Sequence, residues 1–124
     1  MKMMRNLSRS LEDYLEAILV LEIKGGRIRS IDIAKHLKVS RPAVTKALKH
    51  LSRLGYVTKS SYEDVSFTSK GRAFAKNIYH RHKTIKKFLI SIGINEKTAE
   101  IDCCKIEHVI SNETLEALTK LIKD

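Results

Sequence analysis

The sequence predicts a mainly α protein, with an N-terminal winged helix-turn-helix carrying a two-stranded wing and a helical lobe after it. Apolar residues recur at helical spacing along most of the chain and alternate only around residues 56–67. A short helix, a three-residue turn and a second helix fit residues 30–55. A single Pro and five Gly leave no flexible linker or low-complexity tract, and 124 residues with 43% hydrophobic content can bury one modest core beside a helical lobe. The expected division is residues 1–72 for the first domain and 73–124 for the second.

The first helix spans residues 8–24, with Leu11, Tyr14, Leu15, Ile18 and Leu21 on one face, Ser8 or Ser10 as its cap, and Gly25-Gly26 ending it. Ser30 is the expected cap of a short helix carrying Ile31, Ala34 and Leu37, and Lys38-Val39-Ser40 is the turn. Ser40 then caps a second helix with Pro42 in its first turn, where a missing N–H costs nothing. Val44, Ala47, Leu48, Leu51 and Leu54 should face inward, Arg41, Thr45, Lys46, Lys49 and Arg53 outward, and Gly55 ends the helix. YVTKS and DVSFT alternate around the turn SYED and read as a hairpin. Thr68 caps a long helix with Phe74, Ile78, Ile85, Leu89 and Ile92 on its apolar face, closed by Gly93. A helix over residues 96–110 follows, and Ser111 caps a last one. The Leu115, Leu118, Leu121 and Ile122 stripe of that last helix has little in the chain to cover it, as expected of a homodimer face.

Charge points to nucleic acid. Of the net +10, residues 1–72 hold 15 Lys and Arg against 7 Asp and Glu, while residues 73–124 hold 9 against 7. A recognition helix reads base edges with the side chains of its opening turns, and Lys and Arg neutralise phosphates. Ser40, Arg41, Pro42, Ala43, Thr45 and Lys46 occupy those turns, with Lys49 and Lys59 placed for the phosphate backbone of double-stranded DNA. The longest apolar run, residues 17–21, is too short for a signal-peptide core or a membrane span, and the two cysteines are sequence neighbours, which suits a reduced, cytoplasmic protein.

The stretch CCKIEHVI adds a second chemistry. Cys104, Glu107 and His108 are three and four residues apart, so their head groups can converge on one side of a helix, while Cys103 should turn about a hundred degrees away. His82, on the stripe of the long helix, is either a hydrogen-bonded core histidine or a ligand; Asp13 and Glu16 are either exposed acids or two more oxygen donors. Taken together, these N, O and S donors suit a divalent transition metal better than magnesium or calcium. No HExxH, Gly-rich phosphate loop or Ser/His/Asp constellation supports an enzyme. The alternative is a winged-helix regulator whose helical lobe holds no functional metal.

The segments LEDYLEAI, TSKG, YHRHKTIKKFL and CKIEHVIS, with the winged helix among them, resemble the diphtheria-toxin-repressor family of iron- and manganese-dependent transcriptional repressors, and most closely its short manganese transport regulators. The resemblance implies a homodimer that binds operator DNA when Mn2+ or Fe2+ is bound and represses metal-uptake genes. It also implies a second half devoted to metal binding and dimerisation, without the SH3-like domain of long members. Its ligand positions fall on Asp13, Glu16, His82, Cys104, Glu107 and His108. Cys104 stands where manganese-type members have Glu and iron-type members have Cys, whereas Asp13 is of the manganese type, so the set is a hybrid. The ancillary site of iron-type members falls on His82, Lys86 and Glu100, where Lys86 cannot ligate a cation.

Overall fold

The computed structural model describes residues 7–59 and 64–122, and these form six helices and one two-stranded sheet. They are α1 (Arg9–Lys24), α2 (Ser30–Leu37), α3 (Arg41–Arg53), β1 (Val57–Lys59), β2 (Val65–Phe67), α4 (Ser69–Ser91), α5 (Glu96–Ile106) and α6 (Asn112–Leu121). The expected winged helix-turn-helix and helical lobe are both present. The chain divides into two compact units, Met1–Lys76 and Asn77–Asp124, and the division falls within α4.

In the first unit, local chemistry starts and stops each helix. Ser8 Oγ accepts from the Leu11 N–H at the start of α1, and Gly25, at φ 89°, ends it. Ser30 is not the cap of α2: it is the first helical residue and is buried, and the Asp32 carboxylate accepts from the Arg29 N–H instead. Lys38 takes the left-handed conformation, φ 60°, in the turn, and the Val39 N–H returns to the Ala34 carbonyl. Ser40 Oγ accepts from the Ala43 N–H, so α3 begins where expected.

Tyr14, Leu15, Ala17, Ile18, Leu19, Ile33, Val44, Leu48 and Leu51 make the core of this unit. Each of the larger ones contributes about 1.5–3 kcal/mol by leaving water. Ile33, not Ile31 or Leu37, is the fully buried residue of α2, and Leu54 is exposed because α3 ends before it. The wing pairs Val57 with Phe67, Thr58 with Ser66 and Lys59 with Val65. The expected turn at SYED lies largely outside the described residues; Asp64, at its end, pairs with Arg27, and the Val65 N–H bonds to the Ile28 carbonyl. The TSKG motif joins wing to helix. Thr68 caps α4 by accepting from the Gly71 N–H and donates its hydroxyl to the Gly55 carbonyl at 2.6 Å. A Cβ on Gly71 would lie 1.8 Å from the Tyr56 carbonyl oxygen, so only glycine fits there.

The second unit is built on α4, α5 and α6. Asn95 caps α5, which ends at Ile106 rather than Ile110, leaving Glu107 at its C-cap and a turn before Ser111 caps α6. Ile85, Cys103, Ile110 and Leu115 form the core, with Leu89, Ile106 and Leu118 packed on it. Leu115 and Leu118 of the expected dimer stripe therefore find cover within the unit, whereas Leu121 is exposed. Ile92, expected on the buried stripe of α4, lies beyond the end of that helix and is exposed.

Sequence reading gave no role to Arg81, yet its side chain is buried and grips the α5–α6 junction. Its guanidinium donates to the carbonyls of Ile110 at 2.6 Å and Glu107 at 3.4 Å, and to the Asn112 side chain at 2.7 Å. Carbonyls left open where α5 ends thus meet a planar cationic donor fork. Arg81→Lys keeps the charge but loses the fork, and the expected cost is about 3 kcal/mol, as for other broken buried charged networks. Hydrogen exchange should show lost protection in α5 and α6 relative to α2 and α3; unchanged protection would make the Arg81 contacts energetically idle.

Candidate metal centre and nucleic-acid interface

Glu107 is the most enclosed carboxylate among the described residues of the second unit. It is 2% exposed, so an isolated carboxylate there would carry a large desolvation cost. The His82 imidazole offsets it through a hydrogen bond, with Nδ1 2.7 Å from Glu107 Oε1, and His108 Nε2 adds a charge contact 3.3 Å from Oε2 that lacks hydrogen-bond geometry. The hydrogen bond with Glu107 raises the His82 pKa above its ordinary value, with burial opposing and the charges of Glu107 and Glu100 adding to the rise. The result is a buried His–Glu–His chain of nitrogen and oxygen donors, the kind of set that exchanges shared protons for a divalent cation.

The other face of His82 meets sulfur. Cys103 Sγ lies 3.6 Å from His82 Nδ1 and 3.7 Å from Nε2, and ligand atoms of His82, Cys103 and Cys104 lie within 4.8 Å of one another. Cys103 therefore does not turn away from the donor cluster, as helical geometry within one segment suggested; α4 packs against the side of α5 that carries it. Cys104 Sγ points back one turn to Glu100 Oε2, 3.6 Å away. Glu100 also lies 3.3 Å from His82 Nε2 and pairs with Lys86 at 3.0 Å. An ammonium group thus occupies the Lys86 position, where a ligand would be needed for the ancillary site. Burial and the nearby Glu100 push both thiols up to about 12, so each stays protonated at neutral pH until a cation displaces its proton.

Of the six expected ligands, His82, Cys104, Glu107 and His108 belong to the second unit. Asp13 and Glu16 belong to the first, where both are half-buried on α1, three residues apart and so on neighbouring positions of one helix face.

The residues expected to meet nucleic acid lie on the first unit. Ser40, Arg41, Pro42, Ala43, Thr45, Lys46 and Lys49 are all exposed along α3, whose opposite face supplies Val44, Ala47, Leu48 and Leu51 to the core. Lys59 is exposed on β1. The helix thus offers a short polar and cationic face of the width that a major groove accepts.

Known proteins resemble this chain over most of its length. The N-terminal DNA-binding domain of the iron-dependent repressors matches residues 6–65, and their metal-binding and dimerisation domain matches residues 68–124. An uncharacterised helix-turn-helix transcriptional regulator of Methanocaldococcus jannaschii is 45% identical over 90% of this chain and 91% of its own length. The transcriptional regulator MntR of Salmonella typhimurium is 36% identical over 86% of this chain and 68% of its own length. The solved manganese regulator SloR superposes with a TM-score of 0.79 at 29% identity, over 90% of this chain and 52% of its own. IdeR of T. acidophilum superposes with a TM-score of 0.77 at 28% identity, over 89% of this chain and 52% of its own. The chain spans about half the length of these two solved regulators. With a helix-turn-helix and wing in its first unit and a buried His–Glu–His donor chain in its second, the chain belongs to the iron-dependent repressor family of metal-responsive, DNA-binding regulators of transcription.

Proposed function

We propose that this protein is a cytoplasmic, metal-activated repressor that binds operator DNA as a homodimer when Mn2+ or Fe2+ is bound and so controls metal-uptake genes. The observation that carries the reading is the buried Glu107 carboxylate held between His82 and His108, in the segment that matches a metal-binding and dimerisation domain. Residues 1–72 carry the DNA-binding function and residues 73–124 metal binding and dimerisation. The protein is a regulator and not an enzyme, in keeping with its family.

In this reading Asp13, Glu16, His82, Cys104, Glu107 and His108 hold the ion. Asp13 and Glu16 belong to the unit that carries the recognition helix, so an ion that also takes ligands from the second unit couples metal occupancy to the DNA-reading surface. The bound cation supplies charge neutralisation for clustered carboxylates that repel one another without it. A switch from 1:99 to 99:1 in favour of the DNA-binding geometry requires a preference of roughly 5.5 kcal/mol for that geometry. Cys104 makes the donor set softer than carboxylate and imidazole alone and favours Fe2+, while Asp13, Glu16 and Glu107 keep it hard enough for Mn2+. Arg41, Thr45 and Lys46 read the groove from the opening turns of α3, and Lys49 and Lys59 contact phosphates.

The direct experiment is a chelator series on duplexes selected from a random pool by the Mn2+-loaded protein. Binding should disappear in excess EDTA and return with Mn2+ or Fe2+; binding indifferent to EDTA would favour a regulator with no functional metal. On the same duplexes Lys46→Ala should weaken binding roughly 5- to 150-fold, equivalent to roughly 1–3 kcal/mol for a base-edge contact, and leave metal affinity unchanged. Unchanged DNA affinity at moderate salt would remove Lys46 from the interface.

A further inference from the structure

The ligand set above uses one cysteine and leaves Cys103 and Glu100 without a part. We propose that Cys103, Cys104, His82 through Nε2, and Glu100 form a four-donor site for a thiophilic divalent cation of the zinc class, contained within the second unit. It shares His82 and Cys104 with the centre proposed above, and owes nothing to Asp13, Glu16 or His108.

The spacing of the donors carries the inference. A tetrahedral ion with bonds of about 2.3 Å to sulfur, about 2.05 Å to imidazole nitrogen and about 2.1 Å to a carboxylate sets its ligand atoms about 3.5–3.6 Å apart for sulfur with nitrogen or oxygen, and about 3.4 Å apart for nitrogen with oxygen. Cys103 Sγ lies 3.7 Å from His82 Nε2, Cys104 Sγ lies 3.6 Å from Glu100 Oε2, and His82 Nε2 lies 3.3 Å from Glu100 Oε1. The two sulfurs and the imidazole fall within 4.8 Å of one another. His82 and the two thiols stand within reach of one ion, and Glu100 borders them through one oxygen on His82 and the other on Cys104.

Their surroundings favour the same ion. Glu107 holds His82 Nδ1 at 2.7 Å, which leaves Nε2 to meet an ion, and Cys103 Sγ stands almost equally far from the two nitrogens, 3.6 Å from Nδ1 and 3.7 Å from Nε2; carboxylate, imidazole and ion in series is the usual way a second carboxylate orients a metal-binding histidine. Charge nearly balances. On binding, each thiol releases its proton to solvent, so two thiolates and the Glu100 carboxylate are matched by a divalent ion and the Lys86 ammonium, 3.0 Å from Glu100, and only the Glu107 carboxylate behind His82 leaves one negative charge over. Two thiolates with one imidazole suit zinc, cobalt or cadmium and suit manganese poorly. An ion held there takes His82 and Cys104 away from the activating centre, so the vicinal cysteines give this chain a way to bind a thiophilic ion without Asp13 or Glu16.

Anaerobic titration of the full reduced chain with Co2+ tests the proposal, because sulfur-to-cobalt charge transfer reports each thiolate ligand. The wild type should show a tetrahedral cobalt spectrum that one equivalent of Zn2+ abolishes. Cys103→Ser and Cys104→Ser should each retain about half of the charge-transfer intensity, one thiolate of two. Cys103→Ala, checked for folding by circular dichroism, guards against a misfolded serine variant. Glu100→Gln should weaken cobalt binding about tenfold or more, and Asp13→Asn with Glu16→Gln should leave the band intact. Full intensity in both Cys103 variants, or loss of the band in the Asp13 and Glu16 double variant, would overturn the site and return cobalt to the centre proposed above. Absence of any charge-transfer band would overturn it as well, and EDTA-sensitive binding of DNA with Mn2+ would then show that the repressor reading survives.

Discussion

The second unit depends on one buried carboxylate. Glu107 is enclosed at the end of α5, where His82 bonds one of its oxygens and His108 lies beside the other. Everything near it serves that arrangement. Arg81 holds the backbone carbonyls of the same turn, so the residue that carries the carboxylate cannot drift from the helix that carries His82. The same unit has its hydrophobic core in Ile85, Cys103, Ile110 and Leu115. A buried polar chain of this kind is a costly way to hold a helical lobe together, since well-packed apolar residues would do so as well or better. Its retention makes sense if the same groups exchange protons for a cation.

The two units offer surfaces of opposite character. Recognition of DNA needs exposed Lys, Arg and small polar groups on a rigid helix, and α3 provides them because its other face is anchored by four buried aliphatic side chains. Selection of a cation needs the opposite, donors withdrawn from water and held at fixed spacing. The wing is fixed to the start of α4 by Thr68 and by the close approach of Gly71 to the Tyr56 carbonyl, a contact that permits no side chain.

What could be read from the sequence was what local chemistry decides. Ser8, Ser40, Thr68 and Ser111 cap the helices they were expected to cap, because a side-chain oxygen and an N–H three residues on meet within a single turn. Ser30 misled because Asp32, two residues later, serves the same end better. Leu54 and Ile92 kept the periodicity of their helices past the point where those helices stop. The chemistry that depends on helices meeting in space was not legible. Arg81 looked like one basic residue among many, and only the return of α5 beside α4 gives its guanidinium carbonyls to bind. Cys103 was read as facing away since helical geometry relates it to Cys104 but says nothing of where α4 lies; His82 comes to it from that other helix. His82, Glu107 and His108 were picked out by residue type and spacing, while their mutual contacts rest on packing.

In the proposed repressor Glu107 is a metal ligand and not merely a structural partner of two histidines. Glu107→Gln preserves volume and one hydrogen-bond acceptor while removing the negative charge, so calorimetric titration of that variant with Mn2+ separates the two roles. A ligand role requires affinity to fall by more than about a hundredfold, beyond the ten- to hundredfold expected of a group that only orients a ligand, in a protein that remains folded. Manganese affinity unchanged in Glu107→Gln would contradict the account and leave the buried His–Glu–His chain as architecture alone.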